Sequence, residues 1–261
     1  MSRTALITGA SSGIGYELAL LLARDGFDCI LVARSDEKLK ELASRLERES
    51  RVKTLVLPKD LSNASAANEI YEEVTAAGLA VNVLVNNAGF GVYGLFAQAD
   101  PEAELQMLQV NVMALTSLTK LFLPGMLERR EGRILNVAST AGFAIGPLMA
   151  VYYASKAYVI SFSEALANEL QGTGVTVTTL APGPTRTGFQ QRGAMQESRL
   201  FQGQIADARS VALAGYRGLM AGKTMVIPGM RNKLIPLVAR MSPRGVMARV
   251  VRRSQERISQ S

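Results

Sequence analysis

Histidine is absent from this chain of 261 residues, and its absence limits the chemistry that the protein can perform. Without histidine, neither a Ser-His-Asp triad nor a Cys-His pair can form. The commonest protein ligand of zinc is missing as well, and one cysteine does not make a zinc site of the usual kind. We therefore expect no metal site, and acid/base catalysis near neutral pH falls to Asp, Glu, Lys or Tyr.

Cysteine is nearly absent too, since Cys29 in an apolar run is the single one. A lone thiol cannot form a disulfide framework and indicates a reducing compartment. The chain begins without the basic segment and apolar core of a signal peptide. No uninterrupted apolar stretch is long enough to span a bilayer. These absences predict a cytoplasmic protein.

Acidic residues are scarce at one end of the chain. The formal net charge is +7, and residues 231–257 hold eight Lys/Arg against one Glu. The rest of the chain is therefore balanced, and the basic character belongs to a C-terminal extension, residues 231–261. This distribution argues against nucleic acid as a partner of the main body.

Apolar strand-like segments alternate with helix-like segments. The pattern predicts strands at residues 6–8, 29–33, 52–57, 81–85, 133–137, 175–180 and 225–227. It predicts helices at residues 14–24, 37–47, 66–77, 102–127, 151–170 and 211–220. Strands without polar alternation are buried on both faces, and intervening helices imply parallel strands. We predict one α/β domain over residues 1–261, a doubly wound parallel sheet of about seven strands with helices on both faces. Residues 187–207 are predicted to form a loop or lid.

A glycine-rich turn follows the first predicted strand. Gly9, Gly13 and Gly15 lie between that strand and a helix, which is the context of a dinucleotide site. The spacing is not the usual G-x-G-x-x-G, and such a turn alone could equally be a tight strand-to-helix connection.

Tyr152 and Lys156 lie four residues apart near the start of a predicted helix, so their side chains share one face. A nearby ammonium favours the phenolate form of a tyrosine and brings its pKa toward neutrality. Ser139, just after a predicted strand, could hydrogen-bond the same substrate oxygen. A Tyr/Lys pair at this spacing is often only a packing pair, and Tyr153 is a rival that lacks the lysine.

Six elements stand in the order and spacing of one known family. They are residues 8–15, residues 86–89, Asn111, Ser139, residues 152–156 and Pro182-Gly183. On these motifs the chain resembles the short-chain dehydrogenase/reductase family over roughly residues 3–190. The resemblance implies a Rossmann-type fold, hydride transfer with a nicotinamide cofactor, and a catalytic tetrad of Asn111, Ser139, Tyr152 and Lys156. In such a site Lys156 also holds the nicotinamide ribose and Asn111 anchors a water. We expect a homodimer or homotetramer.

The resemblance also implies a set of cofactor contacts. They are Gly9, Ser11, Ser12, Gly13, Ile14, Gly15, Asp60, Leu61, Asn87, Ala88, Gly89, Tyr152, Lys156, Pro182, Gly183, Thr185 and Thr187. Asp60, the adenine contact in this scheme, or Ser62 could instead cap the helix that follows. Residues 86–89 could merely form a turn; we expect them to line the adenosine side and brace the sheet.

The end of the second strand bears on which nicotinamide is bound. A carboxylate there would bind a ribose 2′-hydroxyl and repel a 2′-phosphate. This chain has Ala33 followed by Arg34, whose guanidinium can pair with a phosphate. An ordinary surface arginine is the alternative, and Ser12 stands where an NADP enzyme of the family often has a basic residue. We predict NADP(H), with NAD(H) as the less favoured cofactor.

The predicted substrate pocket comprises residues 140–151 and 187–207, with residues 90–95 at its wall. Its apolar candidates are Phe143, Ile145, Leu148, Met149, Phe189, Met195, Leu200 and Phe201. An apolar pocket with one polar focus suits a lipophilic ketone or secondary alcohol. Arg186, Arg192 and Arg199 could meet an anionic tail, so a 3-oxoacyl thioester is an alternative substrate. A non-catalytic NADP(H) binder or a sugar-nucleotide epimerase fits less well: the tetrad is complete, and epimerases usually carry a longer C-terminal domain.

The C-terminal extension includes a predicted amphipathic helix over residues 244–258. Its apolar side would hold Val246, Met247, Val250, Val251 and Ile258, and its polar side Arg249, Arg252, Arg253, Glu256 and Arg257. Such a helix could lie on an anionic membrane. We favour packing of its apolar side on the protein, where it would close one side of the substrate region.

Overall fold

Parallel strands form the centre of the molecule. The computed structural model describes residues 3–187 and 205–256. Within them, seven parallel strands are ordered β3-β2-β1-β4-β5-β6-β9. Their bounds are β1 Arg3–Thr8, β2 Phe27–Ala33, β3 Thr54–Pro58, β4 Val81–Asn86, β5 Gly132–Val137, β6 Val175–Leu180 and β9 Met225–Val226. Two short strands, β7 (Thr185–Arg186) and β8 (Ala206–Asp207), pair separately. The predicted doubly wound sheet is confirmed, and its order reverses between β1 and β4, where such sheets bind ligands.

Helices cover both faces of the sheet, as predicted. They are α1 Gly13–Arg24, α2 Asp36–Ser50, α3 Ala66–Ala76, α4 Pro101–Leu108, α5 Leu115–Arg129, α6 Ala150–Glu169, α7 Ala208–Met220, α8 Ile235–Met241 and α9 Arg244–Gln255. Successive residues of β1 point to opposite sides, so Ile7 packs in the core beneath α1, α2 and α7. Leu6 packs in the core beneath α3, α5 and α6.

The helix predicted over residues 102–127 is continuous but irregular. α4 passes into a π-helical segment, Gln109–Ala114, before α5 begins. A π-helical turn inserts extra residues into the helix and often marks a functional site. The predicted helix is therefore present over its whole length, and its central turn, where Asn111 lies, is π-helical.

The stretch Pro101–Arg129 is long and apolar enough, by length and composition alone, to cross a membrane. This differs from the sequence-based expectation. However, 39% of its apolar window is buried inside the protein. Leu118 and Phe122 of α5 pack in the core with Ile70 of α3, which is the environment of a core helix.

The predicted C-terminal helix is present as α9, which spans Arg244–Gln255. Arg257 and Ile258 lie outside the described residues. The predicted division of its faces is partly wrong, because Val246 and Val250 are exposed. Val251 packs with the cluster around Tyr152 and Tyr153 instead. The side of α9 that contacts the protein is therefore narrower than the apolar side predicted from the sequence.

Candidate active site

A cavity of about 560 Å³ opens at the carboxyl ends of the strands. Its wall runs from the glycine-rich turn after β1, past the ends of β2 and β4, to Ser139, Tyr152 and Lys156. The predicted cofactor residues that line it are Gly9, Ser11, Ser12, Gly13, Ile14, Arg34, Asp60, Leu61, Asn87, Ala88, Gly89, Tyr152, Lys156, Pro182, Gly183, Thr185 and Thr187. The volume is in the range that holds small ligands and cofactors. Motifs predicted separately therefore form one site.

The glycine-rich turn needs its glycines for backbone geometry. Gly9 and Gly13 have φ angles of +67° and +61°, which side chains other than glycine rarely adopt. α1 begins at Gly13, and among the described residues its N-cap Ser12 makes no side-chain capping hydrogen bond. The first amides of α1 have no intrahelical acceptor and are suited to bind phosphate.

Gly15 has a packing role in the turn. It is not among the described residues that line the cavity. A Cβ atom at this position would collide with the Gly9 carbonyl and the Asn87 side chain. Gly15 therefore lets α1 pack closely against the turn, and its contact with the cofactor stays a prediction.

Thr8 and Asn87 tie the glycine-rich turn to the end of β4. The Thr8 hydroxyl donates to the Val85 carbonyl at 3.2 Å and accepts from the N–H groups of Asn87 and Ala88 at 3.0 and 3.1 Å. The Asn87 amide donates to the Thr8 carbonyl at 2.9 Å. The segment 86–89 braces the sheet as the resemblance implied, and its last three residues line the cavity.

A buried ladder of polar side chains supports the catalytic end of the sheet. The Asn86 amide donates to Thr119 Oγ1 at 3.0 Å and to Asn136 Oδ1 at 2.9 Å. The Asn136 amide donates to Ser163 Oγ at 2.9 Å. These bonds join β4 and β5 to α5 and α6. The sequence analysis missed the ladder, because the strand pattern gives no pairing between these distant residues.

Tyr152, Lys156 and Ser139 meet at one end of the cavity. Tyr152 and Lys156 lie near the start of α6 and are 8% and 5% exposed. Tyr152 shares a side-chain hydrogen bond with Ser139. Lys156 Nζ donates to the Val137 carbonyl at 2.9 Å and lies 5.9 Å from the centroid of the Tyr152 ring. Three predicted catalytic side chains are thus close together.

Burial governs the protonation of this pair. Withdrawal from water raises the pKa of Tyr152 well above its usual value; the hydrogen bond that it shares with Ser139 lowers it, and Tyr153 raises it further. Burial also lowers the pKa of Lys156 to about 8. The sequence argument expected the lysine to favour the phenolate. In the structure burial is the largest effect and raises the pKa of Tyr152, so its hydroxyl is protonated at neutral pH.

The side chains of Asn111 and Lys156 both lie close to Gly89. Its side chain donates to the Phe90 carbonyl at 2.9 Å and to Ser155 Oγ at 3.1 Å, and it accepts from the Phe90 N–H at 3.1 Å. A Cβ at Gly89 would lie 2.9 Å from Asn111 Oδ1 and 3.4 Å from Lys156 Nζ. Asn111 is 1% exposed and is not among the described residues of the cavity wall. Ser155, which the sequence analysis did not single out, links it to α6.

Tyr153 has partners quite different from those of Tyr152. Its hydroxyl accepts from Gln255 Nε2 at 2.5 Å, and the Tyr93 hydroxyl donates to the Gln255 carbonyl at 2.8 Å. Gln255 is 1% exposed. It lies 102 residues from Tyr153 in the chain, so no local pattern could have predicted the contact. We call the contacts of Gln255 with Tyr93 and Tyr153 the C-terminal latch.

Comparison with known proteins decides the family. Residues 3–198 match the family model described as short chain dehydrogenase. The chain belongs to the short-chain dehydrogenase family. It is therefore an oxidoreductase of a family that acts on CH–OH and C=O groups.

Three relatives of this short-chain dehydrogenase have informative names. Ketoacyl reductase HetN of Nostoc sp. is 32% identical over 253 residues, which cover 94% of this chain and 86% of the relative. The very-long-chain 3-oxoacyl-CoA reductase of Anas platyrhynchos is 38% identical over 184 residues, 68% of this chain but 58% of the relative's length. A solved short-chain dehydrogenase from Sphingobium yanoikuyae in complex with NADPH is 30% identical, with a TM-score of 0.84 over 99% of this chain and 98% of the relative.

Arg34 lies at the edge of the dehydrogenase cavity, beyond β2. Its Nη1 is 3.9 Å from Asp60 Oδ2, and both side chains are more than one-third exposed. The cavity wall beside it contains Ser35 and Lys38, which the sequence analysis did not single out. These residues place a polar, cationic end on the cavity opposite Tyr152.

Asp60 does not cap a helix. Its Oδ1 accepts from the Ser62 N–H at 3.0 Å within a turn. α3 begins at Ala66, and Ser65 occupies its N-cap position. The capping alternative for Asp60 and Ser62 is therefore wrong, and Asp60 remains at the cavity wall.

Arg34→Ala is expected to raise the Michaelis constant for NADPH by about tenfold or more, because one or two charge-assisted hydrogen bonds to a 2′-phosphate are lost. The constant for NADH should change little. Arg48→Ala removes an exposed arginine at the end of α2 and serves as the control. Equal effects of Arg34→Ala on both cofactors, or a wild-type preference for NADH, would contradict the assignment.

Part of the predicted substrate wall lies at the cavity. Phe90 and Met149 line the cavity. Val92 and Tyr93 pack around Met149 in a cluster that includes the two tyrosines of α6. The carbonyl of Leu148, which has a φ of +68°, accepts from the Gly94 N–H at 2.8 Å. This bond holds the segment before α6 against the wall.

Three apolar candidates, Phe143, Ile145 and Leu148, are not among the described residues that line the cavity. Phe143, at the end of the short 3-10 helix Thr140–Phe143, packs with Val159 and Ile160 in a separate cluster. Ile145 is 36% exposed. The remaining candidates lie outside the described residues; they are Phe189, Met195, Leu200, Phe201, Arg192 and Arg199.

Proposed function

We propose that the enzyme transfers hydride between NADP(H) and the carbonyl or carbinol carbon of a lipophilic ketone or secondary alcohol. One observation carries the proposal: the cavity joins a polar, phosphate-suited end at Arg34 to Tyr152, Ser139 and Lys156. Beyond these side chains the wall becomes apolar at Met149 and Phe90. A polar focus set in an apolar wall suits a lipophilic carbonyl compound.

The residues present fit a nicotinamide dinucleotide. The positive φ angles at Gly9 and Gly13 bring backbone N–H groups and the α1 terminus to the cavity. Arg34 would hold a 2′-phosphate, which the solved relative from Sphingobium yanoikuyae accommodates in its NADPH. Lys156 would hold the nicotinamide ribose, and Gly89 leaves room beside it. When bound, the nicotinamide supplies or accepts the hydride at the substrate carbon.

In reduction, Tyr152 donates its hydroxyl proton to the substrate oxygen. Its raised pKa keeps that proton in place until the oxygen becomes an alkoxide. Ser139 hydrogen-bonds Tyr152 and orients the hydroxyl. With a pKa of about 8, Lys156 is mostly an ammonium at neutral pH, so it stabilises the phenolate that donation leaves. Oxidation of an alcohol follows the same steps in reverse.

A 3-oxoacyl thioester is the second candidate substrate. Two of the relatives are named ketoacyl reductase and very-long-chain 3-oxoacyl-CoA reductase. In this chain Arg186 is exposed between Thr185 and Thr187, both of which line the cavity. A cation at that place would meet the phosphate of an anionic carrier while Tyr152 serves the 3-oxo group.

The test measures NADPH oxidation with four substrate classes: bulky lipophilic ketones, steroid ketones, small aldehydes and 3-oxoacyl thioesters. We expect the highest kcat/KM with a lipophilic ketone, and loss of that activity in Tyr152→Phe. A clear preference for 3-oxoacyl thioesters, reduced by Arg186→Ala, would select the second candidate. NADPH binding without turnover of any class would overturn both in favour of a non-catalytic binder.

A further inference from the structure

We propose that residues 230–255, the C-terminal platform, dock the enzyme on an anionic membrane surface. The platform comprises the loop after β9 together with α8 and α9. It is distinct from the cavity wall and has no part in the hydride transfer. The docking does not depend on which carbonyl compound the enzyme reduces.

The first observation is an uncovered apolar stripe on α8 and on Leu234, the residue just before it. Leu234, Leu237, Val238 and Met241 are 58%, 56%, 52% and 76% exposed. Their spacing of three, four and seven residues places them on one side of the helix. In a core helix this side would be buried, yet no described part of the chain covers it. Contiguous exposed apolar side chains of this kind mark an interaction surface.

The outward side of α9 also has an exposed stripe, in which arginines accompany the apolar residues. Val246, Arg249, Val250 and Arg253 are exposed and have the same three, four and seven spacing. The opposite side, with Val251 and Gln255, faces the protein. An outward side with both valines and arginines suits a membrane interface, where aliphatic stems enter the lipid and charged ends stay at the headgroups.

The positive charge of the C-terminal platform indicates which partner binds it. Residues 230–255 contain seven Lys/Arg and no Asp or Glu. Glu256 is the nearest carboxylate in the chain and lies 3.8 Å from Arg252. A second copy of the same surface would bring like charges together across a two-fold axis, which disfavours self-association here. Nucleic acid would satisfy the cations but not the exposed leucines and methionines. Anionic lipid satisfies both.

The platform is attached rigidly beside the substrate region. Val251 packs in the same cluster as Met149 and Tyr153, and the C-terminal latch fixes the end of α9 to Tyr93 and Tyr153. Docking through the outward sides of α8 and α9 would therefore hold the substrate side of the enzyme close to the membrane. A lipophilic substrate dissolved in the bilayer is concentrated at that place.

Vesicle co-sedimentation of the full chain tests the proposal. Vesicles of phosphatidylcholine alone are compared with vesicles that also contain phosphatidylglycerol. We expect binding to the mixed vesicles about tenfold or more tighter than to the neutral ones, and weakening of that binding by salt.

Two double variants separate the contributions. Leu237→Ser with Met241→Ser, and Arg249→Gln with Arg253→Gln, should each weaken binding to the anionic vesicles about tenfold. Both should retain wild-type thermal unfolding and NADPH-dependent turnover without lipid, since these side chains are exposed. Leu105→Ser removes an exposed leucine of α4, and Arg48→Gln an exposed arginine of α2; neither control should change vesicle binding.

Some outcomes would overturn the proposal. One is the absence of binding to anionic vesicles at low salt. Another is equal binding to neutral vesicles that the arginine variant does not alter. A fall in oligomer mass in the Leu237/Met241 variant, measured by light scattering without any loss of vesicle binding, would assign the surface to a second copy of the chain instead.

Discussion

Tyr152→Phe is expected to lower turnover by about 10²- to 10⁴-fold, the usual contribution of a positioned general acid. The phenol is the proton donor, and burial keeps it protonated by raising its pKa. NADPH binding should stay within a few-fold of wild type, because the hydroxyl acts chiefly on the reacting oxygen. Steady-state kinetics together with a fluorescence titration of NADPH distinguishes the two effects.

Tyr153→Phe is the matched control. It removes a hydroxyl from the adjacent residue, whose partner is Gln255 and not Ser139. Turnover should be largely retained. Thermal stability should fall, because the buried Gln255 amide loses its acceptor at a cost of about 1–3 kcal/mol. An inactive Tyr153 variant beside an active Tyr152 variant would show that the acid/base assignment is wrong.

Lys156→Met is the second change with a large expected effect. Turnover should fall to near background, because the phenolate left by proton donation loses its neighbouring cation and the ribose loses its ligand. The exposed Lys120 of α5 provides the control variant Lys120→Met, which should remain active. Near-wild-type turnover of Lys156→Met would contradict the proposed role.

The same substitution should leave a signature in stability. Burial lowers the pKa of Lys156 from 10.5 to about 8, so the unfolded chain binds this proton more tightly than the folded one. The charged lysine therefore costs about 3 kcal/mol below pH 8, and the cost disappears as pH rises toward 10.5. The stability of wild type relative to Lys156→Met should rise over that interval in denaturant titrations. A difference independent of pH would show that Lys156 is not buried as a cation.

The sequence predicted correctly those features that depend on neighbouring residues or on a regular apolar pattern. The buried strands are continuous apolar runs, so β2 and β4 to β6 were placed to within a few residues. Tyr152 and Lys156 are four residues apart in a helix, and this spacing alone places their side chains on one face. The glycine-rich turn could be assigned to a dinucleotide site only with the help of other motifs. Its glycine spacing alone also fits a tight strand-to-helix connection.

Properties that depend on tertiary packing could not be predicted in this way. The apolar pattern predicts a helix through Asn111 but does not distinguish a π-helical turn from an α-helical one. Gly15 has the same residue type as Gly9, and only packing against Asn87 shows its different role. The valines of α9 look equivalent by periodicity, yet the latch at Gln255 determines which of them reaches the protein.

The C-terminal latch also bears on how the enzyme is made. Gln255 contacts Tyr153 and Tyr93, which precede it by 102 and 162 residues. Since a chain leaves the ribosome from its N-terminus, the sheet can assemble while α9 is still in the exit tunnel. The contacts that Val251 and Gln255 make beside the two tyrosines are thus among the last in this fold to form, after the strands of the sheet have left the ribosome.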